Sequence, residues 1–216
     1  MERINRTIKA LEKNNIDAVF VENKADVKAL VEEMLFDGCV ITAGGSVSLK
    51  ESGVLDLIKS PKYNFLDRMR EGITQTEQTE VYRQCVGADF FFCSCNALTE
   101  NGELVNVDGL SNRIASIGFG PKKVVMVVGA NKIVSDLAEG FLRIKKIAAP
   151  KNCVRLGIDT PCSKLGKCVS LLKSENPAMT DGCDHNGRIC VNYQVAARQR
   201  IKGRIKVIIC GENLGY

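Results

Sequence analysis

Two stretches of the chain, DFFFCSC (89–95) and VVMVV (124–128), are short apolar runs with little polar interruption. A strand with one wet face alternates apolar and polar residues. A strand without that alternation is covered on both faces, which is the usual condition of a parallel sheet flanked by helices. The segments around these runs fit that arrangement. Ile4, Ile8 and Leu11 fall on one face at helical spacing, and so do Val27, Leu30, Val31 and Met34. Val134, Leu137, Ala138, Phe141 and Leu142 form a further stripe, and Thr74 with Glu77 makes a capping box at the head of TQTEQTEVYRQC (74–85). DAVFV (17–21), CVIT (39–42) and IKVIIC (205–210) read as further strands. The alternating ELVNV (103–107) reads as a hairpin partner or edge strand. The expected fold class is therefore α/β, with a mostly parallel sheet flanked by helices. A single domain over 1–216 is expected, including a cysteine-rich segment at 157–192 with little periodicity.

In such folds ligands sit beyond the C-terminal ends of the strands. Three strand ends carry chemistry. After CVIT comes TAGGSVSLKESG (42–53). Gly44 and Gly45 allow close backbone approach, and Ser46 and Ser48 offer hydroxyls at a helix start, a pattern suited to a phosphate or carboxylate. The plain alternative is a tight turn with a serine cap. After the phenylalanine run comes NALTENGELVNVDGLSNR (96–113), with Asn96, Glu100, Asn112 and Arg113. Glu100 is a candidate nucleophile or general base, and the Arg113 fork suits two oxygens at once. Asn101-Gly102 and Asp108-Gly109 are also ordinary turn dipeptides, and Arg113 has a structural use as a partner for Glu100. After VVMVV, Lys132 would close an anion site from a third strand.

Ten cysteines bear on the cysteine-rich segment. Cys162, Cys168, Cys183 and Cys190 form the pattern C-x5-C-x14-C-x6-C, and four thiolates suit zinc or an iron–sulfur cluster. His185, the only histidine, is an alternative ligand. The plain alternative is a set of reduced cysteines in a loop. The others, Cys153 among them, sit in or beside apolar runs and read as small core residues. No apolar run reaches the length of a membrane helix, and MERINRTIKALEKNN has no apolar signal core, so the chain is expected in the cytoplasm with reduced thiols. Charge is uneven. Residues 1–144 hold 17 basic and 20 acidic side chains, a net of −3, and residues 145–216 hold 13 and 5, a net of +8. The basic third favours anionic partners. The absence of Trp and of any nucleic-acid motif argues against nucleic acid.

TAGGSVSLKESG, the stretch from ADFFFCSCNALTENG to VVGANKIV, and IAAPKNCVRLGIDTPC together resemble the lactate-utilisation (LUD) domain family, over most of the chain. The resemblance is to stand-alone members with a C-terminal cysteine motif. It implies a fold like that of glucosamine-6-phosphate deaminase, ribose-5-phosphate isomerase and the CoA transferases. It also implies that Gly44, Gly45, Ser46, Glu100, Asn112, Arg113 and Lys132 gather at one pocket. Thr99-Glu100-Asn101-Gly102 is similar to the Ser-Glu-Asn-Gly signature of one CoA transferase class, in which the glutamate is the nucleophile. The fourteen residues between Cys168 and Cys183 depart from the family's closer spacing.

The sequence leaves three readings open. The first is a protein that binds a small anionic ligand in organic-acid or redox metabolism. The second is a transferase or isomerase using Glu100, and the third an iron–sulfur subunit with a redox partner protein. A homo-oligomer is compatible with each.

Overall fold

The computed structural model describes all 216 residues. Its main layer is a six-stranded sheet built from β1 (Asp17–Val21), β2 (Val40–Ala43), β3 (Asn64–Phe65), β4 (Phe90–Cys93), β7 (Lys123–Gly129) and β10 (Ile205–Cys210). The strand order is β1-β10-β7-β4-β2-β3 and every pairing is parallel. The central strands β4, β7 and β10 are buried almost throughout. That is why their sequences show no alternation.

Helices cover both faces. On one side α1 (Glu2–Lys13) brings Ile4, Ile8 and Leu11 onto a core with Phe91, Met126 and Val207. On the other, α2 (Lys24–Met34), α3 (Val47–Glu51) and α4 (Val54–Ile58) cover a core with Phe90, Phe92, Val125 and Ile208. The capping box of Thr74 and Glu77 forms at the start of α5 (Gln75–Gln84). No helix is long and apolar enough to cross a membrane.

A second, four-stranded sheet has the order β8-β5-β6-β9. It comprises β5 (Ala97–Thr99), β6 (Leu104–Asp108), β8 (Ile133–Val134) and β9 (Asn192–Ala196). The ELVNV segment is thus an inner strand, antiparallel to β5 on one side and to β9 on the other. All five residues of β6 are buried, so its alternation does not mark an exposed face.

After β6, α6 (Asn112–Gly118) returns to the main sheet, and after β8 comes α7 (Leu137–Arg143). A π-helical stretch (Ile144–Ala148) joins α7 to α8 (Ala149–Arg155) without a break. The widened turn precedes Pro150, which cannot donate to the carbonyl four residues back and would crowd it in a regular helix. The helix read from 134–142 therefore begins later, at Leu137, since Val134 belongs to β8, and continues to Arg155. The cysteine-rich segment is mostly irregular, with one short helix, α9 (Pro161–Leu165), and a single 3₁₀ turn over Val169–Leu172.

Phe92 is fully buried and stacks on Phe90 with ring centroids 6.1 Å apart. Phe92→Ala is expected to lower unfolding stability by about 3–5 kcal/mol, measured by urea denaturation. A loss below about 1 kcal/mol would contradict its central place in the core.

Candidate functional site

A cavity of about 600 Å³ opens beyond the C-terminal ends of β2, β4 and β7. Its wall is built from the segments that follow those strands. Gly45 and Ser46 come after β2, Ser94 to Asn96 after β4, and Lys132 after β7. Asp108, at the end of β6, and Asn112 and Arg113, at the start of α6, add the second layer. The end of α8 supplies Asn152 and Arg155, the cysteine-rich loop Arg188, and the chain terminus Tyr216.

Arg113 organises this wall. Its Nε donates to Asp108 Oδ1 at 2.9 Å. Nη1 donates to the Ser94 carbonyl and to Asn106 Oδ1, and Nη2 to Asn96 Oδ1 and the Val107 carbonyl. Asp108 Oδ2 in turn accepts the backbone N–H groups of Arg113 and Ile114, fixing the first turn of α6. Ser111 takes a left-handed backbone (φ 62°) just before that turn, a conformation that costs a non-glycine residue energy and persists only where its surroundings hold it. Asn96 Oδ1 also accepts the Val107 N–H at 2.9 Å, so the turn between β4 and β5 is tied to β6. Gly44 packs behind the Arg113 stem, where an added β-carbon would come within 3.1 Å of Cδ.

Of the residues expected to bind ligand, Gly45, Ser46, Asn96, Asn112, Arg113 and Lys132 line the cavity. Gly44 and Ser48 lie just behind the wall. Ser48 is 1% exposed and donates to the Leu214 carbonyl, while Ser46 caps α3 by accepting the Leu49 N–H. Glu100 is not in the cavity. It lies in the turn between β5 and β6, and its carboxylate receives Arg3 Nε at 2.7 Å and Arg6 Nη2 at 2.9 Å from α1. The hydrogen bond from Arg6 is the main reason its pKa lies below the usual glutamate value. Its arginine partners are on α1, not Arg113.

Sequence reading missed Arg68, Tyr82, Arg155, Arg188 and Tyr216, all of which line the cavity. It also passed over Ser94, although Ser94 sits at the same strand end that pointed to Asn96. Arg68 donates to the Ala43 carbonyl and to the Tyr82 hydroxyl, and lies over the Tyr82 ring. Arg155 donates to Asn152 Oδ1 and Tyr216 Oη. Arg188 donates to the backbone carbonyls of Cys190, Cys183 and Thr180. Lys132 donates to Ser48 Oγ and Ser94 Oγ. None of these four cations has a carboxylate within ion-pair distance. Arg68 and Arg155 meet at Gly45. A β-carbon there would lie 3.2 Å from Arg68 Nη2 and 3.4 Å from Arg155 Nη2.

The four cysteines singled out by spacing are not arranged as a metal site. Nowhere are three or more His, Cys, Asp or Glu side chains gathered to hold an ion. The thiol in contact with Cys162 Sγ is that of Cys153 on α8, 3.8 Å away. Cys168 Sγ accepts from Ser170 Oγ, and His185 Nδ1 accepts from the Gly187 N–H. Burial pushes the Cys153 thiol up to about 11. The residues as placed therefore do not fit zinc or a cluster.

A family model for the LUD domain matches residues 4–210. The chain belongs to the LUD domain family. Among solved structures, a DUF162 family protein from Deinococcus radiodurans is similar over 97% of this chain and 97% of its own, with 13% identity and a TM-score of 0.52. At that identity the likeness concerns the fold, and it agrees with an α/β LUD protein. The beta subunit of eIF2B from Chaetomium thermophilum matches over 52% of this chain and 43% of its own, with 12% identity and a TM-score of 0.34. A search of curated proteins gave no match.

Arg113 and Asp108 are only 13% and 7% exposed. Asp108→Ala leaves the guanidinium without its counter-charge, and breaking a buried pair in this way costs about 3–5 kcal/mol. Chemical denaturation is expected to show that loss. A variant as stable as the parent would mean that Arg113 is held by its neutral partners alone.

Proposed function

We propose that this LUD protein binds a small anionic ligand, a carboxylate or phosphate ester, in the cavity beyond β2, β4 and β7, in the service of lactate, other organic-acid or redox metabolism. One observation carries the reading. Five cationic side chains line the cavity against one carboxylate, and that carboxylate, Asp108, is already engaged by Arg113. Arg68, Arg155 and Arg188 are held by neutral oxygens and keep their positive charge for an occupant, and Lys132, held by two serine hydroxyls, is charged below about pH 8. A concave site lined by one sign of charge focuses its field on ions of the other sign. The planar forks of Arg68 and Arg155, meeting over a residue without a side chain, suit a group with two or three equivalent oxygens.

The anion is expected to stabilise the fold by mass action. A ligand at a hundred times its Kd adds about 2.7 kcal/mol, on the order of 5–10 °C in Tm for a chain of this size. A panel of inorganic phosphate, lactate, dicarboxylates and sugar phosphates, read by thermal denaturation, is expected to contain such a stabiliser. Arg68→Ala combined with Arg155→Ala should abolish the shift, while Glu100→Gln, outside the cavity, should leave it intact. A panel with no stabiliser, or a shift indifferent to the arginine pair, would count against the cavity as an anion site.

A further inference from the structure

Among the cavity cations Lys132 is the most deeply placed, at 3% exposure. Its two polar contacts are both serine hydroxyls, Ser48 Oγ at 2.9 Å and Ser94 Oγ at 3.0 Å. The two hydroxyls are not equivalent. Ser48 directs its proton to the Leu214 carbonyl at 3.2 Å and lies behind the wall. Ser94 lines the cavity, and its only carbonyl acceptor, that of Cys95, is 3.4 Å away, beyond good O–H···O range. A neutral Lys132 amine would therefore be the better acceptor for the Ser94 proton. The chain terminus closes over the back of the pair. A β-carbon on Gly215 would come within 2.7 Å of Ser48 Oγ and 3.4 Å of Lys132 Nζ.

We propose that Ser94 and Lys132 form a nucleophile–base pair, and that the cavity takes an ester or thioester carrying a carboxylate or phosphate group. The proposal rests on reading the cavity as an anion site and adds a reaction to it. Arg68 and Arg155 seat the anionic group, and Ser94 Oγ attacks the acyl carbon. The Oγ–C bond forms as the Oγ proton passes to the Lys132 amine. The tetrahedral adduct collapses, the bond to the leaving alcohol or thiol breaks, and Lys132 returns its proton to that group. Water then repeats the sequence on the acyl-serine, giving its proton to Lys132 as it attacks. The C–Oγ bond breaks and Ser94 recovers a proton from Lys132. The net change is hydrolysis, with no oxidant or reductant.

The base must be neutral to act. Desolvation pulls Lys132 down to about 8, assisted by the positive charges of Arg143 on α7 and Arg113 on α6, and opposed by Cys95 after β4 and Glu51 on α3. Acylation is therefore expected to accelerate as pH rises through about 8, because deprotonation creates the active form.

The test uses the full chain with a fluorophosphonate, which forms an Oγ–P bond and expels fluoride, read by intact mass and peptide mapping. The parent protein is expected to take one adduct, on Ser94, at a rate rising through about pH 8. Lys132→Met and Lys132→Arg should slow labelling by about 100-fold or more; Lys132→Arg keeps the charge and removes the base. Ser94→Ala should take no adduct and still show the phosphate-induced rise in Tm. An unlabelled parent, an adduct elsewhere than Ser94, or a labelling rate equal to the parent's in both Lys132 variants would overturn the pair. A phosphate-induced Tm rise without labelling overturns the pair alone. Labelling of Ser94 without any anion-induced rise overturns the anion site and leaves the pair standing.

Discussion

The site depends on one partly buried guanidinium. Arg113 reaches the end of β4 through the Ser94 carbonyl, the turn into β5 through Asn96, and β6 through Asn106, Val107 and Asp108. These elements belong to two different sheets. Hydrophobic burial accounts for each sheet but has no direction. Five charge-assisted or polar contacts from a planar fork fix how the second sheet meets the strand ends of the first. A lysine would keep the charge and lose that geometry.

The electrostatic character of the cavity follows from the same contact. By engaging Asp108, Arg113 removes the single acid from play, and the remaining cations meet only hydroxyls, amides and carbonyls. These neutral acceptors hold the side chains in place without cancelling their charge. Placing like charges together is unfavourable, and the proposed anion would relieve that cost on binding. Lys132 lies at the far end of this series. It is deep enough that desolvation draws its pKa towards neutrality, and it is flanked by serines instead of solvent.

Much of this was legible in the chain. Uninterrupted strands gave the parallel sheet because burial on both faces leaves a direct mark on composition; IKVIIC is β10, residue for residue. The rule that ligands lie beyond strand C-termini led to Gly45, Ser46, Asn96 and Lys132. It failed at Glu100 for a geometric reason. β5 begins immediately after Asn96 and carries the chain three residues away before turning, so Glu100 meets α1 instead of the cavity. Arg68, Arg155, Arg188 and Tyr216 were invisible because they arrive from separate elements, and no local pattern distinguishes a surface arginine from one that folding turns inward. Cysteine spacing was equally mute about distance: Cys162 meets Cys153, a residue with the apolar neighbours of a core position.

The central claim is that four carboxylate-free cations make the cavity an anion site. Calorimetric titration of inorganic phosphate and lactate into the chain, in low-chloride buffer, measures this most directly. The account predicts saturable binding of at least one of them at one site per chain. It also predicts that binding weakens as ionic strength rises and disappears when Arg68 and Arg155 are both replaced by alanine. Heats no greater than dilution for both anions, or binding unchanged in that double variant, would contradict it.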